Sequence, residues 1–186
     1  GEIPSNRTDL NVLETVNVRG LTGSAAATDE INLRANLQAT QAVHANIGAY
    51  VAGDMSAGTF EPDFQTSVQL FDSQGGLRNM TFSYPKSSTP NEWFTEVHAE
   101  PVADLDTETH PNGLVASGTT AFNTDGTMDL TNSTAALRDL TVTWNNNLGI
   151  DDSVLTVNYG SDGEADGISQ FNGTSRIISS DVNGAV

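Results

Sequence analysis

The stretch from Gln65 to Val97 constrains this chain most, because three strand signals follow one another there with little between them. Val68 and Leu70 alternate with polar residues. Asp72-Ser73-Gln74-Gly75-Gly76 then supplies turn chemistry: an Asp able to bond the backbone ahead of it and two glycines free to take positive φ. The returning arm sets Met80, Phe82 and Tyr84 on one face and Thr81 and Ser83 on the other, until Pro85 and the Ser87-Ser88-Thr89-Pro90-Asn91 cluster interrupt it. Beyond that turn Trp93, Thr95 and Val97 alternate with Phe94, Glu96 and His98. The period of two predicts a three-stranded antiparallel meander. It also predicts that Trp93 faces the core with Thr95 and Val97, since a slip of one residue would bring Glu92 or Phe94 inward instead.

The same residues carry a resemblance. Gln69-Leu70-Phe71-Asp72-Ser73-Gln74-Gly75-Gly76-Leu77-Arg78-Asn79-Met80-Thr81-Phe82-Ser83-Tyr84, followed by Asn91-Glu92-Trp93, resembles the bacterial flagellar hook protein family. In that family an apolar strand runs into Asp-Ser-x-Gly, a second strand follows, and a Trp opens the next. Ala25-Ala26-Ala27-Thr28 before the strand at Ile31, the Phe122-Asn123-x-x-Gly126 step, and Gln170-Phe171 ahead of Asp181-Val182-Asn183-Gly184 extend the match in outline from Ala25 to Asn183.

The resemblance implies an outer hook β-domain over residues 24–173. Residues 1–23 would be an N-terminal arm leading from an inner domain, and residues 174–186 a C-terminal arm returning to it. It implies a structural role in the flagellar hook, the flexible curved tube that acts as a universal joint and transmits torque from motor to filament. The partners implied are neighbouring hook subunits and, for the full-length parent, hook cap and hook-filament junction proteins. The place implied is extracellular, with export through the flagellum's own channel and no cleaved signal peptide. The terminal helical segments that drive polymerisation in that family have no counterpart here, since the sequence holds no heptad run. The chain by itself is therefore expected to be monomeric.

Further strand signals recur along the chain. Val16 and Val18 suggest a brief strand, and Ile31, Leu33, Ala35 and Leu37 alternate cleanly with Asn32, Arg34, Asn36 and Gln38. Residues 38–62 read as irregular, because Gly48 and Gly53 interrupt an alanine-rich run, and residues 99–118 read as a long acidic surface loop. A hairpin follows through Asn123-Thr124-Asp125-Gly126, with Thr120 and Phe122 on one arm and Met128 and Leu130 on the other. Leu140, Val142 and Trp144, then Leu155, Val157 and Tyr159, form another pair, and Ile168 to Phe171 and the Ile177-Ile178 pair close the series. Short strands separated by Asn, Asp and Gly turns predict an all-β protein, an antiparallel β-barrel or sandwich with short arms at both ends.

Charge and composition exclude some functions. Seven basic residues against 24 acidic ones give a net charge of -17, which opposes binding to nucleic acid or to an anionic membrane surface. Without cysteine there is no disulfide, thiolate metal site or thiol nucleophile. No run approaches the ~20 apolar residues of a membrane span.

No enzymatic site, cofactor or metal is expected. Asp162-Gly163-Glu164-Ala165-Asp166-Gly167 concentrates oxygen ligands but fails the twelve-residue calcium pattern, as does Asn123 to Gly126 with Asp129. His44, His98 and His110 lack ligand spacing, and the Asp151-Asp152 pair is what chance delivers in so acidic a chain. Glycosylation sequons start at Asn6, Asn79, Asn132 and Asn172. Trp93 and Trp144 allow one competing reading, a secreted carbohydrate-binding or adhesive β-domain with an aromatic platform, which requires them to be exposed.

Overall fold

The computed structural model describes residues 25–185. The brief strand expected at Val16 and Val18, the expected N-terminal arm and the Asn6 sequon lie outside the described residues. Ten strands make up two sheets: β1 (Glu30–Asn36), β2 (Phe64–Phe71), β3 (Leu77–Tyr84), β4 (Glu92–Glu100), β5 (Leu114–Phe122), β6 (Met128–Asp129), β7 (Asp139–Val142), β8 (Ser153–Asn158), β9 (Ile168–Ser169) and β10 (Arg176–Val182). Among the described residues there is no α-helix, only single 3-10 turns in the connections.

The second sheet is a meander in the order β2-β3-β4-β5-β6, each strand antiparallel to the next. The expected three-stranded unit is its first part. In the β2–β3 turn Asp72 N–H donates to Gly76 O (2.8 Å) and Gly75 takes φ 83°, as its sequence chemistry requires. The first sheet runs β10-β1-β8-β7, with β9 also beside β1. Here β1 is antiparallel to β10 but parallel to β8 and β9, so the otherwise antiparallel fold contains two short parallel pairings. β8 and β9 follow one another along the same edge of β1, interrupted by the excursion of residues 160–167. That excursion leaves and returns at one point, where Ile168 N–H donates to Tyr159 O (2.8 Å). Gly167 makes the closure possible, since a Cβ there would lie 1.9 Å from Tyr159 O.

The two sheets face each other across one apolar core. Ile31, Leu33 and Ala35 of β1, Leu140 and Val142 of β7, and Leu155 and Val157 of β8 meet Val68, Leu70, Met80, Phe82, Tyr84, Trp93 and Val97 of the second sheet. Burying this many large side chains is the main favourable term in folding, at about 1.5–3 kcal/mol for each. Loops stitch the sandwich at both edges. At β2, Thr28 N–H donates to Phe71 O (2.9 Å) and Phe71 N–H to Thr28 Oγ1 (3.0 Å). At β6, Met128 exchanges bonds with Glu164 O and Gly163 N–H, and Leu130 N–H donates to Asp162 Oδ1 (2.8 Å). Edge backbone is thereby paired without a strand shared between sheets.

One loop reading needs correction. Residues 99–118 are not a continuous surface loop: β4 extends to Glu100, β5 starts at Leu114, and only residues 101–113 connect them. Leu105 and His110 of that connection are themselves buried. Leu114 to Gly118 lack alternation because both faces of this part of β5 are half-buried, leaving no polar side for a period of two to mark. Arg176 to Val182, in the segment expected to be a C-terminal arm, form β10 against β1.

Candidate functional site

Several of the side chains that suggested chemistry in the sequence serve the fold. In the excursion after β8, Asp162 caps Leu130 N–H. Asp166 accepts from Ser161 N–H and Oγ at 2.8 Å each, which holds its carboxyl below the usual range. Asp125 turns to Thr127, whose hydroxyl and then N–H lower its pKa, and Asp129 is lowered in the same way by the Asn132 side chain and N–H. Asp125 and Asp129 thus turn their oxygens to backbone two and three residues ahead, as turn aspartates do. Among the described residues no group of three or more His, Asp or Glu side chains converges as a metal site would need.

The three histidines sit on different elements. His44 packs on Phe60, with ring centroids 4.4 Å apart. His110 is buried between Leu114 O (3.0 Å from Nδ1) and Thr143 N–H, which donates to Nε2 (2.9 Å). Nδ1 therefore carries the proton. His98 lies opposite Thr81 on the outer face of the second sheet. Of the aspartate pair, Asp152 accepts from Trp144 N–H, while Asp151 donates its backbone N–H to Ser73 Oγ.

Burial pushes the His98 imidazole below its ordinary pKa, against the opposing pull of Glu100 and Glu96. The unfolded chain then takes up a proton at higher pH than the folded one. Above the unfolded value of about 6.5 the contribution of His98 is complete, and it is lost as pH falls through that value toward the depressed folded one. Comparing denaturant stability of the wild type with His98→Gln from pH 8 down to pH 5 should show a steeper acid loss in the wild type. Parallel curves would remove the effect.

Both tryptophans are buried. Trp93 is 0% exposed and its Nε1–H donates to Gln170 Oε1 (2.8 Å), with Lys86 Nζ 5.2 Å from the ring centre. Trp144 is 2% exposed, its Nε1–H donates to Ser153 Oγ (3.0 Å), and the Arg78 guanidinium lies 5.2 Å from its ring centre. Neither can be the exposed platform on which a carbohydrate-binding reading depends.

What sequence reading missed is how the two outer faces differ. Residues 38–62, irregular as expected, form a strap over the outside of the second sheet, and Glu96 anchors it. The Glu96 carboxylate is 0% exposed. Its Oε1 accepts from Tyr50 OH (2.8 Å), Gly53 N–H (2.8 Å) and Met55 N–H (3.4 Å), and its Oε2 accepts from Ser56 N–H (2.9 Å). Burial, together with the bond to Glu96, pushes the Tyr50 hydroxyl far up. Tyr50 also packs against Phe60 and Phe94, closing a small aromatic cluster over the sheet. Among the described residues no such cover lies over the first sheet, where Val154 is 68% exposed and Thr141, Thr156, Asn158 and Arg34 all face outward. The one hint in the sequence was an acidic residue in the middle of a strand, at Glu96.

A second missed feature is a clasp at the start and end of the described residues. Ala26 and Ala185 exchange both backbone hydrogen bonds (2.8 and 3.0 Å), and Asn183 Oδ1 accepts from Asp29 and Glu30 N–H. The two ends of the sandwich's chain thus run side by side. A third is Arg78, which pairs with Asp72 (2.9 Å) and with Asp104, tying the β2–β3 turn to the β4–β5 connection.

Comparison with known proteins agrees with this architecture. A family model described as flagellar basal body protein FlaE D2 domain matches residues 36–185. The flagellar hook protein FlgE of Caulobacter vibrioides is 32% identical over 157 residues, covering 72% of this chain and 26% of that protein. Among solved structures, a 32 kDa fragment of the flagellar hook protein FlgE from Caulobacter crescentus matches with a TM-score of 0.57 at 25% identity, covering 74% of this chain and 59% of the fragment. The chain spans about a quarter of the length of the curated relative. With the family model matching most of the sequence, from the end of β1 to the clasp, the chain belongs to the flagellar basal body protein FlaE D2 domain family.

Proposed function

We propose that this chain is a structural domain of a flagellar hook subunit, part of the curved tube that transmits torque from motor to filament. The observation that carries the reading is the family match over residues 36–185. In this reading the outer domain begins at residue 24 and runs past the expected boundary at residue 173, because β10 pairs with β1, to the clasp at Ala185, while residues 1–23 lead to it from an inner domain. The Ala26–Ala185 clasp supports it, because two chain segments leaving side by side let a rigid body tilt on a narrow neck. Neighbouring hook subunits would be its principal partners, with hook cap and junction proteins meeting the assembled parent. Its place would be the extracellular hook, reached without a cleaved signal peptide. The role is mechanical and not enzymatic. The carbohydrate-binding reading is not favoured, since its aromatic platform is absent from the surface at Trp93 and Trp144.

The test is made in the bacterium that encodes the chain. Antibodies raised against the domain should decorate only the short curved segment between cell surface and filament in electron micrographs. Deleting the codons for residues 36–185 in frame should leave cells with malformed hooks and poor swimming. Labelling elsewhere on the cell, with normal hooks and swimming in the deletion strain, would overturn the reading.

A further inference from the structure

The cations of this acidic chain are distributed unevenly. Five of its seven basic residues lie among those described: Arg34, Arg78, Lys86, Arg138 and Arg176. Arg78 is held by Asp72 and Asp104, Lys86 is buried with Nζ donating to Glu92 O (2.9 Å), and Arg138 is half-buried. Among the described residues the two exposed arginines, Arg34 on β1 and Arg176 on β10, line one shallow depression on the outer face of the first sheet. Two large apolar side chains share it, Phe171 at 43% and Ile178 at 47% exposure. Asp166 feels the charge of Arg34 but spends both oxygens on Ser161, so among the described residues the Arg34 guanidinium is in no ion pair. An apolar centre rimmed by arginines is the composition of an interface core.

Its location says what could fill it. The depression lies beside the start of β4, because Gln170, which precedes Phe171, bonds the Trp93 indole. The acidic connection after β4, where Glu100 and Glu108 are exposed while Asp104 is held by Arg78 and Asp106 caps its own turn, leaves from the strand's other end, seven residues past Trp93. At about 3.3 Å per residue the two features are roughly 23 Å apart along β4, too far to meet within one copy. Two copies can join them.

We propose that the Arg34–Arg176 depression receives the Glu100–Glu108 connection of a second copy of this chain, head to tail. Such a heterologous contact does not use itself up and can propagate from copy to copy. It deepens the hook-subunit reading and rests on it for its setting. The contact is weak in isolation, since each copy carries a net charge of -17. At about 0.15 M salt the Debye length is about 8 Å, so the overall repulsion is screened while a direct arginine–carboxylate contact survives.

The test uses the chain itself. It has no cysteine, so Thr107→Cys, at an exposed position in the acidic connection, accepts a single spin label. Labelled copies are mixed with isotope-labelled unmodified copies at up to about 1 mM, where a contact of millimolar Kd is populated. The expected result is intermolecular broadening of the Arg34, Phe171, Arg176 and Ile178 amide signals. It should fall at least about fivefold when the isotope-labelled copy carries Arg34→Ser with Arg176→Ser, two exposed changes away from the core. No broadening at the depression, equal broadening in the double variant, or new amide protection along β10 from symmetric edge pairing would each overturn the proposal. If these failed while antibodies still decorated the hook, the hook reading would stand and this contact alone would fall.

Discussion

Trp93→Ala should destabilise the domain by about 3–5 kcal/mol, a large share of the 5–15 kcal/mol that holds a typical domain together. The indole is 0% exposed between the sheets, on the face it shares with Thr95 and Val97, both also fully buried. Truncation would open a cavity that neighbouring strands, fixed by their ladders, can close only in part. It would also orphan Gln170 Oε1, which now accepts from the indole while Gln170 Nε2–H donates to Asn91 Oδ1 (3.0 Å) and Gln170 N–H to Gly126 O (2.8 Å). One residue, Gln170, thus holds β4, the β3–β4 turn, the β5–β6 turn and the stretch after β9 in register through its side chain and backbone together. Trp93→Phe keeps most of the volume and loses mainly the hydrogen bond, so it should cost less, about 1–2 kcal/mol. Urea unfolding of both variants, with an unchanged slope, checks the series. A loss below about 1 kcal/mol for the Ala variant would mean that the site collapses freely and that the Trp is not a core element.

Glu96→Ala should cost about 2–4 kcal/mol and release the strap. The substitution removes one carboxylate but leaves the Tyr50 hydroxyl and the Gly53, Met55 and Ser56 amides without their shared acceptor. Donors at the strap's margin can reach water only by lifting it from the sheet. Amide hydrogen exchange at Gly53 and Ser56 should therefore accelerate far more than at Phe82 or Val97 in the core strands. Glu96→Gln separates charge from shape. Its amide oxygen can take the place that accepts from Tyr50, Gly53 and Met55, while its NH2 would confront Ser56 N–H, donor against donor. It should then lose roughly half as much stability as the Ala variant and loosen Ser56 before Gly53. Equal exchange at the Gly53, Met55 and Ser56 amides in wild type and Glu96→Ala would show that the aromatic packing of Tyr50 on Phe60 and Phe94 holds the strap instead.

The two substitutions probe opposite faces of one strand. Alternation along β4 was readable from the sequence, and it set Trp93, Thr95 and Val97 inward as the structure has them. It could not say that the other face would be covered too. Phe94, Glu96 and His98 look like a solvent face until the strap, whose own residues have no periodicity, is laid across them.

Local chemistry determined the meander. The turn at Asp72 to Gly76, the breaks at Pro85 and Pro90, and the Asp-Gly turn before Thr127 act within a few residues, so they are written in adjacent positions and the structure obeys them. The family pattern rides on the same local features. Contacts between residues far apart in the chain were decided only by the tertiary structure. β1 lies parallel to β8 more than 120 residues later, and nothing in Glu30 to Asn36 names that partner. Leu114 to Gly118 lost their strand signature because both sides are half-buried. Arg176 to Val182 lost theirs for the converse reason: at the sheet's edge nearly every position of β10 is exposed, so neither face demanded apolar residues in alternation. Arg34 and Arg176, 142 positions apart, line one depression only because β1 and β10 pair. Periodicity reports the difference in burial between two faces of a strand. Where that difference vanishes, or where the partner is distant in sequence, the chain carries the information but no short window of it does.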